Sequence, residues 1–160
     1  MNESIIKTVG VAFAVCLFCS LIVSSSAVSL RDLQEENKLN DKRIKILQVA
    51  DIYDPNQSIS SQFEKLESKF VDFDNGLILD KYEDINIDEY DQIIATKNPS
   101  MSKPVPTSQD IAIIKNRENI GKIYILRDQN NTINKLILPI RGYGLWGTLY
   151  GYMSIEDDFN

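Results

Sequence analysis

Residues 122–156 read KIYILRDQNNTINKLILPIRGYGLWGTLYGYMSIE. The first seven residues are β-rich, with Ile123, Tyr124, Ile125 and Leu126 in succession, and Gln129-Asn130-Asn131 supplies a turn. INKLILPI at 133–140 pairs back as the second arm of a hairpin. RGYGLWGT at 141–148 is a Gly-rich loop, and LYGYMSIE at 149–156 is a third strand with Tyr150, Tyr152 and Ser154 on one face. Three strands joined by short connections, preceded by helical segments, predict an α+β fold.

Upstream of this stretch the pattern changes. Residues 96–107, TKNPSMSKPVPT, carry three prolines and no periodicity and read as a linker or surface loop. Thr107 and Ser108 offer caps for a helix starting near Gln109, with Asp110 near its positive end and Ile111, Ala112 and Ile114 as its apolar side. Asn119 to Gly121 ends that helix. Residues 58–68 predict a further helix, with Ser60 or Ser61 as N-cap and Glu64 three residues on from Ser61. FVDFDNGLIL at 70–79 alternates around Asn75-Gly76, two residues that tolerate positive φ, and predicts a hairpin. Asp72, Asp74 and Glu83 have part of a calcium-loop spacing, but Gly76 stands at the fifth position where that loop needs its glycine at the sixth, which favours a solvated hairpin.

The N-terminus is apolar. No charge occurs between Lys7 and Arg31, and the 23 residues 8–30 would span about 35 Å as a helix, against a hydrocarbon core of about 30 Å. The rest of the chain is too polar to cross. The expected organisation is a cytoplasmic N-terminus at 1–7, one transmembrane helix at 8–30, a juxtamembrane helix at 31–50 and an extracytoplasmic domain at 51–160. A cleaved signal peptide is the alternative, because the strongest apolar run is Val9–Val23 and Ser25-Ser26-Ala27 suits a signal peptidase. Lys7 alone on one side, against Arg31, Lys38, Lys42, Arg43 and Lys45 on the other, favours the opposite orientation by the positive-inside rule. Leu30, Leu33, Ile44 and Leu47 keep a heptad-like spacing with Asn37 and Asn40 between them, so the second helix, continuous with the first, is expected to be either partly wet and partner-facing or a plain surface helix packing on its own domain. Cys16 and Cys19 lie on one helix face; with no further cysteine, they are read as small apolar residues in lipid rather than as a metal or redox pair.

Composition narrows the chemistry further. With 17 basic and 23 acidic residues the net charge is −6, which argues against a nucleic-acid partner. The chain has no histidine, so imidazole zinc sites and histidine-based triads are excluded. Charge is unevenly placed. Residues 51–95 hold 12 acids and 3 lysines, a charge of −9, whereas residues 96–155 hold 8 basic and 3 acidic residues, a charge of +5. The two segments either attract each other or present opposite faces to partners.

The loop at 141–148 is the most unusual feature. Gly142, Gly144 and Gly147 surround Tyr143, Leu145 and Trp146, the single tryptophan. Glycine permits close backbone approach to a flat ligand and an aromatic side chain supplies a stacking face, as a planar cofactor such as a flavin would require. The plainer reading is a tight strand connection with Trp146 plugging the core. The order is neither that of a phosphate loop nor that of a dinucleotide fingerprint.

The junction SSSAVSLRDLQ (24–34), the segments DKRIKILQVADI (41–52) and TSQDIAIIKNRENIGKIYILRD (107–128), and above all LILPIRGYGLWGTLYGYMSIE (136–156) resemble the C subunit of the bacterial sodium-translocating NADH:quinone oxidoreductase (Na+-NQR). The related G subunit of the Rnf-type complex is similar in general plan. The resemblance implies a single-pass protein of the bacterial inner membrane whose bulk is periplasmic and forms an α+β FMN-binding domain. It further implies an FMN attached through its phosphate to a Thr in a Ser-Gly-Ala-Thr motif, well after the GLW loop. That flavin would relay electrons from NADH toward ubiquinone, among the other membrane subunits of a translocase coupled to sodium export. Onto this chain it carries over only Gly142, Gly144, Leu145 and Trp146, as one wall of the flavin pocket. No Ser-Gly-Ala-Thr occurs in the sequence. The expectation is therefore an N-terminal part of a longer protein, its FMN-binding domain incomplete at the C-terminus and inactive in isolation. The competing expectation is a cofactor-free, membrane-anchored periplasmic binding or scaffold module.

Overall fold

The computed structural model describes residues 2–156, with side chains from Ser4 onward. One α-helix, α1 (Asn2–Val49), fuses the two helices expected at 8–30 and 31–50. No proline interrupts it and Gly10 is its only glycine. Its hydroxyl side chains satisfy themselves within the helix: Thr8 donates to the Ser4 carbonyl at 2.8 Å, Ser20 to Leu17 at 2.8 Å and Ser29 to Ser25 at 2.9 Å. At about 1.5 Å per residue such a helix runs about 72 Å. It contains an 18-residue window of mean hydropathy 2.3 with none of it buried, so it is long and apolar enough to cross a membrane. Ile6, Val11, Phe13 and Phe18 stand exposed along it. By packing, the chain divides into residues 1–42 and 43–160.

The second unit is built on a five-stranded antiparallel sheet in the order β2-β1-β5-β6-β7, with β1 (Leu66–Asp72), β2 (Leu77–Leu79), β5 (Ile120–Arg127), β6 (Ile133–Tyr143) and β7 (Thr148–Glu156). The hairpins read from the sequence are present, and β6 and β7 pair without a slip from Lys135↔Glu156 to Tyr143↔Thr148. One face of the sheet is covered. There Ile46 and Leu47 of the last turn of α1, with Ala50 just beyond it, are buried against Leu66, Tyr124, Leu126 and Ile137. Burial of each large aliphatic side chain contributes about 2 kcal/mol. The expected heptad stripe is thus used only at its end: Leu47 is buried, whereas Leu30 and Leu33 are exposed. A second cluster joins Phe70 and Ile120 to Tyr90 and to Ala95 of α3 (Gln92–Lys97). Asp91 caps α3, accepting from the Ile93 and Ile94 amides at 2.7 and 3.2 Å.

Three sequence expectations are corrected. Helix α2 is only Ile59–Phe63, with Ser58 rather than Ser60 or Ser61 as N-cap, and the residues from Leu66 on are strand. Gln62 is what fixes that junction. Its buried amide donates to the carbonyls of Asp54, Gln57 and Ser58 and accepts from the Asp54 amide at 2.6 Å, tying the preceding loop to the helix. The expected linker at 96–107 is partly structured: α3 enters it, and β3 (Ser102–Pro104) pairs with β4 (Asn116–Glu118). The helix expected from Gln109 is absent. Asp110, expected in the first turn near the helix's positive end, instead accepts from the Ile114 and Lys115 amides at 2.8 Å each and folds the segment into a loop. Ile113 and Lys115 take positive φ (53° and 65°), which no α-helix accommodates.

The opposite charges of residues 51–95 and 96–155 do attract within this unit. Lys103 pairs with Asp74, Arg117 approaches Asp74 at 4.0 Å, and Arg127 pairs with Glu67 at 3.0 Å.

Candidate functional site

Strands β6 and β7 carry the expected Gly-rich loop, which narrows to a four-residue tip, Gly144–Gly147, because β6 continues to Tyr143 and β7 starts at Thr148. The Gly144 amide donates to the Gly147 carbonyl at 2.8 Å. Gly147 has φ +151°, a conformation that side chains rarely adopt, so the turn needs glycine there. Leu145 and Trp146 occupy the apex and are 88% and 95% exposed. Trp146 therefore does not plug the core, and that reading is overturned. The reason is local: two residues at the tip of a four-residue turn lie beyond the last strand pair and have no sheet face to point into.

The four residues carried over by resemblance are thus contiguous but unequal. Gly142 lies within β6, where an added Cβ would meet Ala112 at 3.7 Å, ordinary contact. At Gly144 an added Cβ would approach the Leu149 side chain to 2.8 Å. Leu145 and Trp146 form the exposed apex. The loop 110–115, expected to be a helix, lies alongside: Tyr143 donates its amide to the Ala112 carbonyl at 2.8 Å. On either side of Ala112, Ile111 and Ile113 are exposed, and with Tyr143 and Leu149 they add apolar surface near the apex. Sequence reading missed these two isoleucines by assigning Ile111 and Ile114 to a helix face.

At the base of the hairpin Arg141 is spoken for. Its guanidinium donates to the Asn116 carbonyl at 2.9 Å and pairs with Glu118, both side chains nearly buried. Glu118 also accepts from Gln92 at 2.8 Å. This network locks β6 to β4 and α3 and leaves the hairpin a rigid base. On the covered face Tyr152 packs edge-on to Tyr124, which packs on Phe63, with centroids 6.4 and 5.6 Å apart. Burial holds both tyrosines as neutral phenols, Tyr152 pushed up to about 12 and Tyr124 well above the ordinary range.

Fold and site define a class: a protein led by one long apolar helix, followed by a sheet-rich α+β domain that presents an apolar aromatic hairpin tip. No family model matches the chain. Individual proteins do. It is 38% identical over 163 residues to the C subunit of the Na(+)-translocating NADH-quinone reductase of Pseudomonas aeruginosa, covering 99% of this chain and 61% of that protein. Identity is 39% over 160 residues to the same subunit of Vibrio vulnificus, with the same coverage, and 36% over 161 residues to that of Neisseria meningitidis serogroup B. The crystal structure of Shewanella oneidensis NqrC superposes with a TM-score of 0.64 at 28% identity, covering 78% of this chain and 56% of that one. The chain is a homologue of the C subunit of the Na(+)-translocating NADH-quinone reductase, and it spans about three-fifths of the length of the curated relatives it matches.

The resemblance implies FMN, and the residues present can be tested for it. Leu145 and Trp146 offer an apolar stacking face, but their exposure means that nothing described closes over them. Arg141, the basic residue nearest the hairpin tip in sequence, is engaged with Glu118. The described residues fit one wall of a flavin site and do not by themselves make the site.

Proposed function

We propose that this chain serves as the C-type component of a sodium-translocating NADH:quinone reductase, in which an FMN relays electrons from NADH toward ubiquinone with sodium export. Homology to the C subunit over 99% of the chain carries this reading. In it, residues 8–30 of α1 cross the bacterial inner membrane once, residues 1–7 are cytoplasmic, and residues 31–50 lead into a periplasmic domain at 51–160. The partners are the other membrane subunits of the complex. The hairpin residues Gly142, Gly144, Leu145 and Trp146 contribute one wall beside the flavin, whose covalent attachment is supplied by residues outside this sequence.

A test is to replace the native C subunit of a bacterial reductase with this chain, alone and fused after Asn160 to the part of the Pseudomonas aeruginosa relative that has no counterpart in it. Sodium-dependent quinone reduction and flavin fluorescence on a denaturing gel are expected from the fusion and not from the chain alone. Neither signal from a fusion that is present in the membranes would contradict the proposal.

A second reading has its own support. With no Ser-Gly-Ala-Thr in the sequence and an uncovered hairpin apex, the 160 residues on their own suit a cofactor-free anchored module that docks on another protein. FMN added to the chain alone and then removed by gel filtration is expected to leave less than about a tenth of an equivalent bound, since one exposed wall cannot enclose a ligand. Stoichiometric retention would restore a flavin site to these residues.

A further inference from the structure

The hairpin of β1 and β2 turns through Phe73–Gly76, and Asn75 and Gly76 are both exposed. Asn75 is the only asparagine of the chain that is followed by glycine. That order has a chemistry of its own. The backbone nitrogen after an asparagine can attack the side-chain carbonyl carbon, and where glycine follows no side chain obstructs the attack. Hydroxide takes the proton of that nitrogen, the bond from nitrogen to Cγ forms, and the side-chain nitrogen leaves as ammonia. Water then opens the succinimide at either carbonyl. The product is aspartate or isoaspartate, with one more negative charge.

One residue holds both reacting groups. The Gly76 amide donates to the Asp72 carbonyl at 2.8 Å. The Asn75 side-chain amide donates to Asp72 Oδ2 at 2.7 Å, while the Asp74 and Asn75 backbone amides donate to Asp72 Oδ1 at 2.9 and 3.2 Å. The proton of the attacking nitrogen is therefore engaged. The side chain cannot turn toward that nitrogen without giving up a hydrogen bond to a carboxylate, which is among the stronger kinds. The turn is also fastened at its flanks: the Phe73 amide donates to the Asn119 carbonyl at 3.0 Å, and Asp74 pairs with Lys103. The product does not suit this arrangement. An aspartate at 75 sets a second carboxylate where a donor now meets Asp72, so conversion loosens the turn that restrained it.

We propose that Asn75–Gly76 is the deamidation site of this chain and that Asp72 restrains it, so that conversion proceeds only when the turn opens. The turn at Asp128 supplies the comparison. There the Asn130 backbone and side-chain amides donate to Asp128 at 2.8 and 3.4 Å, but Asn131 follows, and its side chain obstructs the attack. The two turns share a carboxylate at their start and differ at the attacking residue. The inference is independent of the flavin reading, since no residue of the hairpin tip enters it.

The test is peptide mapping by mass spectrometry after timed incubation of the chain in micelles in mildly alkaline buffer, with the peptides that hold Asn75 and Asn130 followed together. Asn75 is expected to convert before any other asparagine, and about tenfold or more faster in urea than in the folded chain. Asp72→Ala is expected to bring the folded rate at Asn75 to within about threefold of the rate in urea while leaving Asn130 unchanged. Should Asp72→Ala fail to fold, shown by lost amide protection in β5, Asp72→Asn takes its place. That variant keeps an acceptor oxygen without the charge, and a rise of about threefold at Asn75 is expected. Another asparagine converting first would overturn the site. Equal rates at Asn75 in the folded chain and in urea, or a folded Asp72 variant no faster than the parent, would overturn the restraint.

Discussion

Gln62 shows what a single side chain decides. A glutamine in a short polar helix looks like surface, yet this one is buried and holds three carbonyls and one amide of the preceding loop. Gln62→Ala strips partners from buried backbone groups and is expected to cost about 2 kcal/mol in urea unfolding of the chain in micelles, against a negligible change for Gln57→Ala. Trp146 behaves oppositely. It reads as the anchor of a core and stands almost wholly in solvent, so Trp146→Ala is expected to change stability by less than about 0.5 kcal/mol. As the single tryptophan, its emission should be that of an exposed indole and readily quenched by acrylamide; a shielded, blue-shifted emission would place it elsewhere. Neither side chain's burial was legible in the sequence, because burial depends on what the turn and the neighbouring loop do, not on residue type.

Among elements, the strands were the most legible and the short helices the least. β-rich composition and asparagine- and glycine-rich turns named β5, β6 and β7, but β5 starts two residues before its expected bound and β6 runs on to Tyr143, into the expected loop. The segment at 109–118 misled because an Asp–apolar pattern fits both a capped helix and an Asp-centred loop, and only the positive φ at Ile113 and Lys115 separates them. Long α1 was legible as apolar and as continuous into its polar half, and what its heptad-like spacing left open was which of its residues enter a core. Ile46→Ala is expected to cost about 3 kcal/mol, whereas Leu33→Ala, at an exposed site, should cost less than about 0.5 kcal/mol. Thermal unfolding of the two variants side by side checks this, and equal effects would contradict the packing. Turns set the acid response. The Asn75 side chain and the Asp74 amide lower Asp72, and Thr132 and Asn130 lower Asp128, both from an ordinary 3.8. Lys69 and Arg127 lower Glu67, and Lys69 lowers Asp80. Each carboxylate has a folded pKa below its unfolded one, so its contribution is complete above the unfolded value and is lost as pH falls through the folded value. Urea midpoints should therefore fall below about pH 4, and Asp72→Asn/Asp128→Asn should flatten that fall. An unchanged slope in the double variant would remove these turns as its source.

At the scale of the whole molecule, sequence patterns were enough to place the chain among the relatives of the reductase's C subunit, because the hairpin LPIRGYGLWG and the LRDLQ junction occur in order along one chain. What they could not convey is that the candidate flavin wall stands uncovered and that the last described strand has an open edge. Both depend on where the turn and the strand pairing leave these residues, and not on residue type. The most direct measurement is affinity purification of the tagged chain from membranes of a bacterium whose reductase lacks its own C subunit, followed by mass spectrometry of what accompanies it. The remaining reductase subunits are expected in near-equal amounts with the chain. A chain that is extracted from those membranes intact, with none of them attached, would contradict its proposed place in the complex.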